Sequence, residues 1–244
     1  MLQAIESPSL DQRFRVERLV QDIQQEALRT GFRAVMTVEQ DMDIRLEAGM
    51  CLIARILDPM AEEKPIRDQL DAMAEQLRKR LAPAKLDQVP PETFVRALIQ
   101  VLKVEQGLKG NVDDYDNPDN SSLKHVLDTR KGLPIVLSHI AILVAQRLDV
   151  PIVGLGVPGR YMIKYAGTDL IINPFDDWQV LTPDELMKSI RGLDPEKYLQ
   201  ADTHRNALSR MLRNLISDYA GRGQTAKAAE LRAYLMLVDL PTAP

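Results

Sequence analysis

The sequence is poor in the residues that build disulfides, metal centres and large aromatic sites. Among its 244 residues are one cysteine (Cys51) and three histidines, and aromatic residues make up 5%. A single cysteine excludes an internal disulfide framework and any metal site that needs several cysteines. We therefore predict no bound metal and no cofactor.

Charge and hydropathy exclude further classes of protein. Lysine and arginine total 31 against 35 acidic residues, and a net charge of −4 gives no general electrostatic reason to bind nucleic acid or an anionic membrane. Charged residues between Asp11 and Arg18 interrupt every early apolar run, so no secretory signal peptide is recognised. The longest apolar stretch, around residues 140–145, is far shorter than the ~20 residues of a membrane span. We expect a reducing, cytoplasmic protein with no nucleic-acid or membrane partner.

Helical periodicity dominates the N-terminal part of the chain. Leu19, Ile23 and Leu28 suggest a short helix that Gly31 ends. Stronger apolar repeats predict three more helices whose ends are marked by prolines. Their apolar positions are Leu46, Met50, Ile53 and Leu57; Ile66, Leu70, Met73, Leu77 and Leu81; and Phe94, Leu98 and Val101. We assign residues 1–106 to an N-terminal helical region.

The pattern changes after this region. Residues 110–121 are rich in turn formers, and the helix predicted from Pro134 to about Leu148 is apolar nearly all round, which is typical of an interior helix. Three short β-branched or aromatic runs then predict strands at 151–155, 161–165 and 169–173, with turns at 158–159 and 166–167. Thr182 is expected to cap a further helix that begins at Pro183.

The C-terminal residues predict an αα-hairpin that resembles one tetratricopeptide unit, with Gly221 and Gly223 in its turn. One helix carries Leu208, Leu212, Leu215 and Tyr219, and the other carries Ala228, Leu231, Leu235 and Val238. Because one such unit cannot bury its own apolar face, we expect it to dock on the rest of the protein. The predicted fold class is α+β, with a core at 107–200 and the hairpin at 201–244, all in one compact unit.

Two ligand motifs fail when their context is considered. Gly154, Gly156 and Gly159 have the spacing of a dinucleotide fingerprint, but a strand pattern follows where that motif needs a helix. The loop that begins at Asp114 starts like a calcium loop, yet aspartate and histidine stand where glycine and glutamate are required. We interpret both segments as structural turns.

Histidine and cysteine chemistry is equally sparse. His139 is expected to be a hydrogen-bonded core residue, whereas His125 and His204 are expected to be exposed on amphipathic helices. Cys51 lies in the middle of a helix, where no helix end or cation lowers its pKa. We therefore expect a buried, unreactive thiol.

A set of motif residues nevertheless carries a resemblance. It includes Gly110-Asn111, Asp114-Tyr115, Asn117-Pro118, Asn120-Ser121, Val126-Leu127, Arg130, Gly132, Pro134-Ile135, Leu137-Ser138, Arg147-Leu148, Val150-Pro151, Gly154, Gly156, Pro158-Gly159, Asn173-Pro174-Phe175, Arg205, Leu208, Arg210-Met211-Leu212 and Asn214-Leu215. On these residues, over about residues 40–240, the chain resembles the bacterial SirB-one family, transglutaminase-like proteins with a tetratricopeptide-like tail. The resemblance implies a papain-like core, in which a central helix packs on a small antiparallel sheet.

The same resemblance implies where a catalytic triad would stand. In active members of the wider superfamily, cysteine starts the central helix, histidine lies on one strand and aspartate on the next. Here these positions are Pro134, Arg160 and Asn173. Proline offers no nucleophile, arginine stays protonated near neutral pH, and asparagine has no charge to stabilise an imidazolium. These substitutions exclude a conventional Cys-His-Asp mechanism.

We therefore predict a noncatalytic, transglutaminase-like pseudoenzyme that binds a protein or peptide partner through the ancestral cleft. The candidate cleft residues are Asn111, Asp114, Tyr115, Asn120, Arg130, Ser138, Arg160 and Asn173. Arg160 would hold a carboxylate or phosphate in a forked contact, or would alternatively pair with Asp114 or Asp116 and close the cleft. Ser138 is expected to bond a carbonyl of its own helix.

Two other functions stay open at this point. One is a hydrolase or acyl transferase of the same fold with a rearranged site, for which Ser138 and Cys51 are the candidate nucleophiles. The other is a scaffold whose C-terminal hairpin seats a partner helix.

Overall fold

A computed structural model of the chain describes residues 10–38, 45–190 and 198–240. Four helices make up the N-terminal layer: α1 (Leu10–Met36), α2 (Leu46–Leu57), α3 (Glu63–Leu81) and α4 (Pro91–Ile99), which continues as a π-helical segment, Gln100–Glu105. The helices α5 (Leu123–Thr129), α6 (Pro134–Gln146) and α7 (Pro183–Ser189) follow. The C-terminal hairpin consists of α8 (His204–Gly221) and α9 (Thr225–Asp239). The predicted helices from α2 onward are confirmed.

Two small sheets complete the described part of the fold. Strands β1 (Lys109–Gly110) and β2 (Lys131–Gly132) pair in parallel. Strands β3 (Ile152–Leu155), β4 (Met162–Tyr165), β5 (Ile171–Asn173) and β6 (Gln179–Leu181) form an antiparallel sheet in chain order. Helices with small sheets and a central helix against an antiparallel sheet confirm the α+β class.

The apolar helix α6 lies at the centre of the molecule. Residues from Pro134 to Ala145 are all buried, because α3 and α5 cover the helix on one side and β3 and β4 cover it on the other. One apolar core runs from α1 through this helix to the hairpin. A smaller cluster on the sheet includes Leu155, Met162 and Leu186, and it packs α7 against the strands.

The first helix differs from its prediction. It is not a short helix ended by Gly31 but a continuous helix of 27 residues that passes through this glycine. Gly31 allows close packing there, since a Cβ atom would lie 2.6 Å from a terminal side-chain carbon of Leu52 on α2, which would have to shift. A glycine that serves helix packing was therefore mistaken for a helix stop.

Strand β6 and the β1–β2 pair have no counterpart among the sequence predictions. Strand β6 has only three residues, none of them buried, and it follows Asp177 and Trp178, which both have a positive φ angle. Asn173-Pro174 and Asp176-Asp177 mark a turn before β6, but the strand itself has no sustained apolar run, so its pattern is too weak to predict.

The β1–β2 pair fixes the approach to α6, and we expect it to tolerate no added side chain at Gly110. A Cβ atom there would lie 2.7 Å from the backbone oxygen of Phe175 and would also overlap its ring. Gly110→Ala should lower the free energy of unfolding by about 1–3 kcal/mol. Gly221→Ala is the matched control, because no atom lies within 4 Å of its Cβ position. Urea unfolding curves measure both variants, and equal curves for Gly110→Ala and the unmodified protein would contradict the packing described here.

Candidate functional site

The loop in front of α6 is held by the side chains of two buried asparagines. Asn111 donates its side-chain N–H to Oδ1 of Asn120 at 2.8 Å, and Asn120 donates to the carbonyl oxygens of Asp114 at 2.6 Å and Tyr115 at 3.2 Å. The backbone N–H of Leu133 donates to the carbonyl of Asn120. Asn111 and Asn120 therefore position the loop, and neither lines the cleft described below.

A cleft of about 180 Å³ opens at the N-terminal end of α6. Its lining residues are Tyr115, Pro134, Ile135, Gly159, Arg160, Tyr161, Arg210 and Asn214. Tyr115 is held at the rim by an edge-to-face contact with Phe175, with ring centroids 5.6 Å apart. Of the predicted cleft residues, the structure thus brings Tyr115 and Arg160 together on this surface.

Two guanidinium groups give the cleft its charge. Arg160 is exposed in the turn before β4, and its own carbonyl oxygen accepts a hydrogen bond from Arg210 on α8 at 2.8 Å. Arg210 also donates to the carbonyl of Val157 at 2.9 Å, and its guanidinium carbon lies 5.5 Å from the centre of the Tyr161 ring. Within residues 10–38, 45–190 and 198–240 neither arginine makes an ion pair, so Arg160 does not pair with Asp114 or Asp116. The cleft is therefore positively charged.

The three triad positions do not all face this cleft. Pro134 occupies the first turn of α6 and lines the cleft, as Arg160 does. Asn173 is buried at the end of β5, where its Oδ1 accepts a hydrogen bond from the backbone N–H of Asp176 at 3.4 Å. This hydrogen bond stabilises the turn after β5.

The other predicted residues serve the framework. Ser138 is fully buried and donates to the carbonyl oxygen of Tyr161 at 3.2 Å, so the expected bond within its own helix is wrong. Arg130 ends α5 in a left-handed conformation, with φ of 64°, and its Nη1 is buried without a hydrogen-bond partner in the described part of the chain. Asp114 accepts a hydrogen bond from the side chain of Asn117 in the loop.

Sequence reasoning missed Arg210, Tyr161 and Asn214 as cleft residues. Arg210 belongs to the motif set of the resemblance, which was the only signal available for it. Its place in the cleft depends on how the hairpin docks beside the β3–β4 turn, some 50 residues away in sequence. No local pattern reports such a contact.

Behind Tyr161 lies a second group of polar side chains. A cavity of about 250 Å³ is bordered by His139, Tyr161, Asp202 and His204 among others. The rings of His139 and Tyr161 are 4.9 Å apart. His139 is therefore a core residue, as expected, and the backbone of Ile135 contributes a hydrogen-bonding interaction to its imidazole. His125 and His204, expected to be exposed, are half-buried.

The protonation of these groups does not suit acid–base catalysis near neutral pH. Burial, and then the positive charge of His204, lowers the pKa of His139 to about 3, so this imidazole is a very weak base. Burial, and then the carboxylate of Asp202, raises the pKa of Tyr161 well above its ordinary value. A neutral phenol beside a weakly basic imidazole is not an activated nucleophile.

Cys51 is buried in α2, as expected. Burial, and then the carboxylates of Glu63 and Glu47, raises the pKa of its thiol to about 12. A reactive cysteine needs the opposite environment, one that stabilises the thiolate. The described residues contain no group of three histidine, cysteine, aspartate or glutamate side chains that could hold a metal ion. Across the same part of the chain, no helix is both long and apolar enough to cross a membrane.

Comparison with known proteins gives the family context. Residues 64–213 match the family model of the transglutaminase-like superfamily. A UPF0162 protein of Xylella fastidiosa (strain 9a5c) is 32% identical over 209 residues, which cover 81% of this chain and 73% of that protein. A UPF0162 protein of Pseudomonas aeruginosa is 27% identical over 78% of this chain and 70% of that protein. F-box only protein 21 of Homo sapiens is 22% identical over 65% of this chain and 28% of that protein. No solved structure shows a significant match.

We expect the thiol of Cys51 to resist alkylation in the folded protein. Because its pKa is raised to about 12, almost no thiolate forms at pH 8, and the side chain is 2% exposed. Iodoacetamide followed by mass spectrometry should show no labelling of native protein within hours and complete labelling in guanidinium chloride. Rapid stoichiometric labelling of the native protein would instead identify a reactive cysteine and support the hydrolase alternative.

We also expect His139 to make folding sensitive to acid. Its pKa is about 3 in the folded protein against 6.5 in the unfolded chain, so the unfolded chain binds the extra proton. Stability from this residue is present above pH 6.5 and is lost as the pH falls toward 3, by an amount on the order of a few kcal/mol. His139→Gln should therefore flatten the decline of unfolding free energy between pH 7 and pH 4, measured with urea. Parallel curves for the two proteins would show that His139 is not buried in its neutral form.

Proposed function

Because this chain belongs to the transglutaminase-like superfamily, with UPF0162 proteins among its relatives, and carries Pro134, Arg160 and Asn173 at the triad positions, we propose that it is a noncatalytic member. Its function would be to bind a protein or peptide partner through an acidic group seated in the cleft at the start of α6. The observation that carries this proposal is the pair of arginines, Arg160 and Arg210, which face the cleft without a carboxylate partner in the described residues.

The charge of the cleft favours a carboxylate as the bound group. A guanidinium binds a carboxylate through two parallel hydrogen bonds, and a charge-assisted bond is about twice as strong as a neutral one. The N-terminal end of α6 adds partial positive charge, which falls off within the first turn. Pro134 supplies no N–H there, so Arg160 is the main donor that a ligand would meet.

The size and rim of the cleft favour a peptide over a free small anion. Its volume of about 180 Å³ holds one acidic side chain or a chain terminus, and it is open to solvent. Apolar side chains in the neighbouring loop are exposed, with Val112 at 72% and Tyr115 at 46%. A peptide could cover these side chains while its carboxylate contacts Arg160, whereas a small anion would leave them uncovered.

The hydrolase alternative has little support from the candidate nucleophiles. Ser138 is buried and donates to a backbone carbonyl, and Cys51 is buried with a raised pKa. Tyr161 and His139 lie close together, yet their pKa values move away from those that nucleophilic catalysis requires. These observations support a binding role for the fold.

Two finer assignments belong to the same proposal. The motif residues from Gly110 to Ser138 support the proposal that the chain belongs to the SirB-one group of transglutaminase-like proteins. We also propose a cytoplasmic location, which the single, buried and unpaired cysteine supports because such a thiol suits a reducing compartment.

We predict that Arg160→Gln weakens binding of acidic peptides by at least about tenfold, because it removes a charge-assisted contact. Fluorescence polarisation measures the dissociation constants of peptides selected from a random library, each prepared once with free carboxylates and once with its acidic groups amidated. Arg213→Gln is the matched control, since Arg213 lies one turn from Arg210 on α8 and pairs with Asp239 outside the cleft. Equal binding by the protein and Arg160→Gln, or equal binding of acidic and amidated peptides, would overturn the proposal.

A further inference from the structure

The N-terminal half of α1 carries an exposed apolar stripe. Val16, Leu19, Val20 and Ile23 are 60%, 59%, 47% and 60% exposed, respectively. Isolated exposed apolar residues are common on protein surfaces, but these four occur at the spacing of one helix face. All the residues from Asp11 to Ile23 are exposed, so this half of the helix extends beyond the part that packs on α2 and α9.

The stripe lies on the side of α1 that faces away from the core. Leu28, Phe32 and Val35 form the buried face, where Phe32 contacts Tyr234 of α9 with ring centroids 5.5 Å apart. Successive helical residues are rotated by about 100°, which places Leu19 and Ile23 opposite that buried face. The stripe is therefore not an extension of the core-facing side, and an association on it would not disturb the fold.

We propose that this stripe binds the same stripe of a second copy of the chain, with the two α1 helices antiparallel. The spacing of the apolar residues is symmetric about the point between Leu19 and Val20. A two-fold axis through that point places Val16 of one copy opposite Ile23 of the other, and Leu19 opposite Val20. In a two-fold interface the two copies use the same residues, so every contact between two residues occurs twice and the surface must be complementary to itself.

The charges beside the stripe fit the same arrangement. Arg15, Asp22 and Glu26 lie along one edge of the stripe, and all three are exposed. Within α1, Arg15 pairs with Asp11 and Glu26 pairs with Arg33, and such exposed pairs contribute little to stability, so these side chains can exchange partners. In an antiparallel pair related by a two-fold axis, the same edges of the two helices meet. Arg15 of one copy then lies between Asp22 and Glu26 of the other. In a parallel pair related by a two-fold axis, opposite edges of the two helices would meet, so Arg15 would not face Asp22 and Glu26 of the other copy.

The size of the stripe sets the expected strength of association. Val16 and Ile23 are about 10 Å apart along the helix, so the contact is smaller than a standard stable interface of about 1,600 Å². We expect a reversible dimer that dissociates in the micromolar range or above and forms independently of the cleft.

Sedimentation velocity over a range of concentrations tests the association directly. The unmodified protein should shift from 27.5 kDa toward twice that mass as its concentration rises. Leu19→Glu should weaken association by at least about tenfold, since it buries a charge at the dimer axis. Gln21→Glu makes the same charge change on another side of α1 and should leave association unchanged. A monomer at every concentration, or equal loss in both variants, would overturn the proposal.

Cysteine cross-linking tests the antiparallel register, with Cys51→Ala as background. Val20→Cys places thiols of the two copies near the two-fold axis and should cross-link under mild oxidation, whereas Val16→Cys should not cross-link to itself. Efficient cross-linking of Val16→Cys would show a parallel pair and contradict the proposed register.

Charge reversal separates a second copy from another partner. Arg15→Glu should weaken association, and the triple variant Arg15→Glu with Asp22→Arg and Glu26→Arg should restore it. Only self-association regains complementary charges in this way, because both sides of the contact change together. If the triple variant stays monomeric, the stripe does not pair with itself. None of these variants lies in the cleft, so their outcome is independent of acidic-peptide binding.

Discussion

Complete burial of α6 is the constraint on which the rest of the structure depends. A helix that is apolar on all sides is stable in water only if other elements cover every side. The helical layer covers one side of α6 and the antiparallel sheet covers the other, so neither can be removed without exposing it. The helix also carries Ser138 and His139 into the core, and Ser138 finds its hydrogen-bond partner on the chain just before β4.

The position of the cleft follows from this arrangement. The N-terminal end of α6 is framed by the loop after β1 and the turn before β4, and the cleft opens between them. The side chains of Asn111 and Asn120 hydrogen-bond to each other, and Asn120 also donates to a backbone carbonyl of the loop, which fixes the shape of the rim. Arg210 reaches the same place from α8, so the hairpin completes the cleft as well as covering the core.

The parts of the fold that the sequence predicts well are those with a strong local pattern. Helices α2 and α3 have apolar residues at regular spacing and prolines near their ends, and both were predicted close to their observed bounds. The errors arise where tertiary contacts decide the structure. Gly31 lies inside α1, where the side chain of Leu52 packs directly against it, and β6 forms by pairing with the edge of β5.

For the candidate site as well, the sequence indicates which residues lie near the cleft, whereas tertiary contacts decide which of them line it. Tyr115 and Arg160 could be placed in the cleft because they lie in segments of the resemblance that surround the start of the central helix. Asn111, Asn120, Ser138 and Asn173 belong to the same segments but turn their polar groups toward the framework. Sequence shows which residues lie near a site, but the direction of each side chain depends on hydrogen-bond partners that are far apart in the chain.

The proline at the start of α6 has a physical explanation. Pro134 suits the first turn of a helix, where its fixed φ angle is favourable and its missing N–H would have had no partner. The fold therefore does not need a nucleophile at this position, and the presence of the fold is no argument for catalysis.

The arginines of the cleft differ from Arg147 in their surroundings. Arg147 is compensated by Glu47 and Asp71, with N···O distances of 2.8 and 2.5 Å, whereas Arg160 and Arg210 have no acidic partner among the described residues. Helix geometry explains the proline, and hydrogen bonds to the carbonyls of Val157 and Arg160 explain the position of Arg210. No ion pair in the described residues accounts for the exposed charge of Arg160, which is why we propose a ligand with an acidic group.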